Sequence, residues 1–235
     1  SVTVPVAASD DVYVDPSSLS ATISSTSASG VSINPAAAVT TITDTTDNVT
    51  LSLTGATSIT EGGSAGVYTL SLSHQALSAV TVTLNYSYTS ASSGDITTGA
   101  TTVVIPANSS SASFNISALV DGLVEGAESF SVAIVSATQV ANTAGNFENL
   151  VVSTTANSVT TSIVDATATV SLSATPSISE AGGNVVYTAS ITQAPTSDMT
   201  VTLSNGQVIT ILANAISGSV TVPVAASDDV YVDPS

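Results

Sequence analysis

The first seventeen residues of the chain, Ser1 to Ser17 (SVTVPVAASDDVYVDPS), return unchanged as Ser219 to Ser235. Identity over such a length is the mark of a tandem array, and the displacement from position 1 to position 219 sets its period at 218 residues. A window slightly longer than one period must hold one folding unit whole and another in two pieces. The pattern is that of a building element of a long array, not of a self-contained catalyst.

The apolar residues alternate with Ser or Thr at period two in Val49 to Leu53 (VTLSL), Val67 to Ser73 (VYTLSLS), Val80 to Leu84 (VTVTL), Ser111 to Ile116 (SASFNI) and Ser129 to Val135 (SFSVAIV). Successive side chains of a strand point to opposite faces, so short alternating runs predict half-buried strands. Helix-period stretches with caps are essentially absent. Gly, Asn, Pro and Ser punctuate the runs at intervals of roughly ten residues, the spacing of an antiparallel β-sandwich.

A second, diverged repeat lies inside the first. ITEGGSAGVYTLSLS (Ile59 to Ser73) matches ISEAGGNVVYTASIT (Ile178 to Thr192), and VTVTL (Val80 to Leu84) matches MTVTL (Met199 to Leu203), both displaced by 119 positions. Farther on, IPANSSSASFNI (from Ile105) matches LANAISGSVTV (from Leu212) at a displacement of about 106, so some thirteen residues are missing from the second unit. The loss falls where the first unit has a long loop and the second has LSNGQVITI, whose Asn205 and Gly206 predict a two-residue hairpin. The closing strands correspond as well, TTITD (Thr40 to Asp44) with TSIVD (Thr161 to Asp165). These matches predict three segments: residues 1–46 as the C-terminal part of a second-type sandwich, 47–165 as a complete sandwich, and 166–235 as the N-terminal part of the next second-type sandwich. Either part alone would leave a sheet edge and a core open, so the reading predicts completion by neighbouring repeats or, head to tail, by another chain.

Charge narrows the function. Seventeen Asp and Glu face no Lys and no Arg, for a formal charge of −17, while 43% of residues are hydrophobic. A disordered acidic tail would carry far fewer apolar residues, so the chain is read as folded. A polyanion without a basic patch excludes direct binding of nucleic acid or acidic lipid. The absence of Cys removes disulfides, zinc–thiolate sites and thiol chemistry. No run of about 18 uninterrupted apolar residues and no basic leader occurs, so direct membrane insertion is not expected.

Folding such a chain brings carboxylates together with no ammonium or guanidinium to pair them, which leaves metal cations as the source of local positive charge. Solvated, scattered acids are the simpler alternative. In a seven-strand sandwich, however, Glu61 falls in the turn after the first strand and Asp95 in the long loop. Asp121, Glu125 and Glu128 fall in the loop DGLVEGAE, and Asp165 at the end of the last strand. Alternate connections of a sandwich emerge at one end, so these acids converge there. A calcium ion needs six to eight oxygens, which four or five such side chains with carbonyls or water supply.

The runs SITEGG, SSGDI, IPANSSSASF and DGLVEGAESFSV, with a terminal strand ending in Asp, make residues 47–165 similar to the Calx-beta domain along nearly their whole length. The resemblance implies an all-β fold of tandem Ig-like antiparallel sandwiches with Greek-key connections, binding calcium at one end near the junction with the next domain. It assigns Glu61, Asp95, Asp121, Glu125 and Asp165 as ligands, with Glu128 in support. The family usually has adjacent aspartates where this chain has Gly122 and Ala166, which implies fewer ions or weaker binding. The second-type unit keeps Glu180 and also Asp228, Asp229 and Asp233, the last three being Asp10, Asp11 and Asp15 in the earlier copy, with Asp44 and Asp47 at the junction. It lacks the Asp95 loop.

In composition and architecture, the Ser/Thr-rich tandem sandwiches without bases resemble the extender region of giant bacterial surface adhesins of the RTX or Lap type. The glycine-rich nonapeptides of the RTX β-roll are absent from the sequence. This resemblance implies a secreted, cell-surface stalk that projects an adhesive tip for attachment or biofilm formation. The alternative is a glycan- or ice-binding sandwich acting through avidity.

Catalysis is not expected. Gly62 to Gly66 spell GxSxG, but that motif needs a strand-to-helix turn and a His partner. The one histidine, His74, is read as an exposed loop residue. Glu125 and Glu128 form an acidic pair, but with no Trp there is little to stack a sugar.

Overall fold

The computed structural model describes residues 1–7, 10–14, 17–97, 99–139 and 145–227. All regular structure among them is β. The strands are β1 (Ser17–Ala21), β2 (Ala38–Ile42), β3 (Asn48–Gly55), β4 (Ser58–Thr60), β5 (Gly66–Ala76), β6 (Val80–Tyr88), β7 (Thr102–Ile105), β8 (Ser109–Ile116), β9 (Leu123–Val124), β10 (Glu128–Gln139), β11 (Asn149–Val152) and β12 (Ser158–Val164). They continue with β13 (Val170–Ala174), β14 (Gly183–Ile191), β15 (Ala194–Pro195), β16 (Met199–Thr202), β17 (Val208–Ile211) and β18 (Ser217–Val224). Every alternating run singled out in the sequence lies within one of these strands.

Two sheets face each other in the central region, one ordered β4-β12-β10-β6-β7 and the other β11-β3-β5-β8. The chain passes from one sheet to the other between β5 and β6 and between β7 and β8, the Greek-key wiring of an Ig-like sandwich. The strand count exceeds the expected seven. The first strand divides, β3 joining one sheet and β4 the other, and β11 adds an edge. Pairing is not wholly antiparallel either, since β4 runs parallel to β12 and β11 parallel to β3. A strand that changes sheets and an edge strand added beside it leave no trace in period-two alternation.

The inward positions of both sheets form the core. Val49, Leu51, Leu53, Tyr68, Leu70, Val80, Val82, Phe130, Val132 and Ile163 are each at most 2% exposed. One polar bridge lies within it: Tyr68 OH is hydrogen-bonded to Thr161 Oγ1, which donates to the Ala56 carbonyl at 2.7 Å. Buried hydroxyls are costly unless paired, so this bridge fixes β5 against β12.

The flanking segments are built on the same plan but less completely. Residues 166–227 form the sheet β13-β14-β18 and the hairpin β16-β17, around a small core of Ala189, Ile191, Ile209 and Ile211. The hairpin turn differs from the expected two-residue form. Gly206 N donates to Leu203 O at 3.0 Å and Leu203 N to Gln207 O at 2.8 Å, with Gly206 at φ 81°. Asn205 does not take a positive φ, so the loop is a three-residue turn with one left-handed glycine. Near the N-terminus, β1 and β2 form an isolated two-stranded sheet, exposed throughout except at half-buried Ile42.

Candidate metal centre

Five segments of the central sandwich deliver carboxylates to one end. Glu61 follows β4, where its amide donates to Val164 O at 3.0 Å, and it is only 7% exposed. Its Oε2 accepts the Ala166 amide at 3.4 Å, tying it to the chain as it leaves β12. Asp95 sits in the long loop between β6 and β7, where it accepts the Ser92 amide and, at 3.1 Å, the Ser92 hydroxyl. The Asp95 carbonyl accepts the Leu119 amide at 2.8 Å, so the loop is pinned to the segment leading to Asp121.

In the loop before β10, Asp121 Oδ1 accepts the Leu123 amide at 2.8 Å, and Gly122 takes φ 87° between them. An aspartate at that position would have to adopt the left-handed region, which gives a physical reason for glycine there. Asp165 Oδ2 accepts the amides of Glu125 at 3.1 Å and Gly126 at 2.9 Å, clamping the loop to the end of β12. Glu128 opens β10 opposite Ile163.

Electrostatics show that the group is crowded. Burial, then the charge and hydrogen bonding of Asp95, and then Glu125 and Asp121 push the Glu128 carboxyl up to about 7. Glu61 is raised by burial, against the pull of the Ala166 amide, and further by Asp121, Asp165 and Asp95. Glu125 is raised by burial and by Asp121, Asp95 and Asp165. Glu61, Asp95, Asp121, Glu125, Glu128 and Asp165 are thus brought within electrostatic reach of one another. Among the described residues, no three Asp, Glu or His side chains are arranged closely enough to enclose an ion.

At the other end of the sandwich, Asp44 and Asp47 meet a residue that the sequence did not single out. Asp47 N donates to Glu148 Oε2 at 2.5 Å. That amide pulls the Glu148 carboxyl down, but burial together with hydrogen bonding and charge from Asp44, and charge from Asp47, outweigh it and raise the group. The parallel pairing of Asn149 with Asn48 sets Glu148 beside Asp47, and parallel pairing is what alternation does not reveal. Thr45 Oγ1 donates to Asp10 Oδ1 in the same stretch, whereas Asp11 accepts its own neighbour's amide, Tyr13 N, at 2.7 Å. Glu180 is exposed and stands apart, its carbonyl accepting Ser227 N at 2.9 Å. Asp15, Asp228, Asp229 and Asp233 lie outside the described residues.

Both ends of the sandwich are also junctions. Beside the six-acid cluster, β9 runs parallel to β15, Ala194 N donates to Gly122 O at 2.8 Å, and Thr196 Oγ1 donates to Val124 O at 3.1 Å. At the opposite end, Tyr13 stacks on Phe147 with centroids 5.6 Å apart and donates its hydroxyl to Gln75 O at 2.5 Å.

The GxSxG run forms the turn between β4 and β5, with no helix after it. His74 is exposed as expected, but within β5 rather than in a loop. Ten residues of extended chain separate it from Ser64, roughly 30 Å, so the two do not meet.

A family model described as the LapA domain matches residues 47–166 and again residues 165–235. No curated protein matches the chain. Among solved structures, the chain is similar to the apo form of the Calx CBD1 domain, at 15% identity over 51% of this chain and 98% of that one, with a TM-score of 0.42. It is similar also to CBD12 from CALX1.2, at 11% identity over 77% of each chain and a TM-score of 0.41. A third similar structure is the E. coli chaperone DraB, at 10% identity over 77% of this chain and 88% of that one, with a TM-score of 0.31.

Proposed function

The chain belongs to the LapA domain family of large cell-surface adhesins, and from that premise we propose that it is an extender segment, stiffened by calcium, that spaces an adhesive tip from a bacterial surface. The observation that carries this reading is the gathering of Glu61, Asp95, Asp121, Glu125, Glu128 and Asp165 beside the β9–β15 junction, in a chain with no Lys or Arg. The donor set is all oxygen, without thiolate or imidazole, which suits a hard divalent cation. No three of these side chains enclose an ion as they stand, so an ion would have to draw them inward, and its charge would relieve the repulsion among them.

The chain's own residues supply the mechanical link. Asp165 accepts amides from the β9–β10 loop, and Glu61 accepts the amide of Ala166, the first residue of the following unit. Neutralising these carboxylates tightens the loop that pairs with β15, and so restrains hinge motion between units. The stalk reading makes the protein non-catalytic and places it outside the cell.

Thermal unfolding in EDTA, in millimolar calcium and in magnesium tests the proposal. At calcium one hundredfold above its dissociation constant, one site adds about 2.7 kcal/mol. Asp121→Asn is expected to shrink the calcium increment and leave the melting point in EDTA equal or higher, since one repelling charge is gone. A melting point that calcium does not move would reduce the cluster to solvated acids.

A further inference from the structure

The two incomplete pieces of this chain are complementary halves of one sandwich, and their strands already hold the registers of the complete one. β1 pairs with β2 as Ser17↔Ile42, Ser18↔Thr41 and Leu19↔Thr40. β10 pairs with β12 as Glu128↔Ile163, Ser129↔Ser162 and Phe130↔Thr161. Aligning DDVYVDPSSLS with DGLVEGAESFS equates Ser17 with Glu128 and Leu19 with Phe130, and aligning TTITD with TSIVD equates Thr40 with Thr161. Both alignments give one register, so the β1–β2 pair is the counterpart of β10–β12. The same holds on the other side: β16–β17 pairs Met199↔Ile211, as β6–β7 pairs Val80↔Ile105.

The complete sheet runs β12-β10-β6-β7, whereas here the counterparts stand as two separate pairs, β2-β1 and β16-β17. The seam that would join them is β1 against β16. Burial shows what the missing seam costs. Leu19 is 42% and Ile23 62% exposed, against 0% and 8% for their counterparts Phe130 and Ile134. On the facing sheet, Val170 and Leu172 are 43% and 54% exposed, against 0% and 2% for Leu51 and Leu53.

From this we infer that residues 17–46 of one copy of the chain dock on residues 166–227 of a second copy, closing its open sandwich, with β1 antiparallel to β16 and Ile23 opposite Leu203. That register follows from Ile134↔Leu84 in the complete unit. Thr40 then meets Tyr187, as Thr161 meets Tyr68. The occupant is this chain's own hairpin, because residues 219–235 repeat residues 1–17 without change, so β1 and β2 are the strands that follow this stretch in the repeat. Closure within a single chain is ruled out by distance. The N-terminal segment is held at the Gln75 and Phe147 end of the central sandwich, and the C-terminal unit at the Gly122 end. The eleven residues of β5 alone put roughly 35 Å between those ends. Donor and acceptor lie on different faces, so the contact is heterologous and joins successive copies head to tail, in a filament or a closed ring. None of this depends on the calcium reading.

Multi-angle light scattering of the full chain from micromolar to millimolar concentration, at 150 mM salt, tests the inference. The weight-average mass is expected to rise beyond a dimer with concentration. Leu19→Glu spoils the donor hairpin and Leu172→Glu the acceptor face. Both residues are exposed in the separate chain, so the central sandwich should fold unchanged in each variant, and each variant alone should stay monomeric. Mixed one to one, the two variants still offer one good donor and one good acceptor, and should stop at a heterodimer of twice the monomer mass. A wild-type chain that stays monomeric throughout, variants that associate like the wild type, or a mixture without heterodimer would each overturn the inference.

Discussion

The central sandwich and the C-terminal unit are written on one template and reach different degrees of burial. Their hairpins share a register, and both turn corners with an asparagine in the left-handed region, Asn108 at φ 63° and its counterpart Asn214 at φ 60°. Yet Leu53 is 2% exposed and its counterpart Leu172 is 54% exposed. Strand identity, register and turn shape are therefore local properties that an incomplete unit already has. Core burial is not; it is conferred by the opposite sheet. The difference between the units is the covering strands and not the quality of the local sequence.

The sharpest way to break that comparison is to cut the same core position in both. Phe130→Ala removes a fully buried ring from between two sheets and should cost about 3–5 kcal/mol in the urea unfolding of the central sandwich. Leu19→Ala, at the matching position of the exposed hairpin, should cost less than about 0.5 kcal/mol where the chain is dilute and monomeric. If the pieces dock at high concentration, the Leu19→Ala cost should grow toward that of a core truncation. Equal costs in dilute solution would mean that the hairpin is already covered.

The units differ also in their acids, and pH separates them. Where the central unit has Glu128 and Glu125, the second-type unit has Ser17 and Val14, so the carboxyl pushed up to about 7 belongs to the central unit alone. A carboxyl raised in the folded state favours folding while it is protonated. That contribution is full below the unfolded value of about 4.5 and is lost as pH rises through 7. Without calcium, the melting point of the central sandwich should therefore fall between pH 4.5 and 7, with Glu61 and Glu125 acting in the same direction. Glu128→Gln should flatten much of that slope and leave the transition of the C-terminal unit unmoved.

What the sequence made legible follows the same division between local and imposed order. Alternation located the strands, and the loop positions of Glu61, Asp95, Asp121, Glu125 and Asp165 were enough to gather them at one end, because hairpin connectivity fixes which loops share an end. Glu148 escaped, since its place beside Asp47 depends on β11 lying parallel to β3, a pairing between segments a hundred residues apart that neither segment encodes by itself. The division of the first strand between two sheets escaped for the same reason. The sequence reads His74 as an exposed loop residue, yet β5 continues through it with an irregular register between Ser71 and Ala76.

The smallest expected effect is the one that most directly tests whether turn shape is local. Asn108 and Asn214 both adopt the left-handed region, which a side chain with a short polar group tolerates better than alanine does. Asn108→Ala and Asn214→Ala should each destabilise by about 1 kcal/mol, and the glycine variants should be neutral or slightly stabilising. Because the φ angles agree to within a few degrees while the burial of the two units differs widely, the two alanine costs should match. A cost at Asn108 well above that at Asn214 would show that the complete core holds its corner in place and that the open unit's turn is free to relax, moving turn geometry from the local side of the comparison to the imposed one.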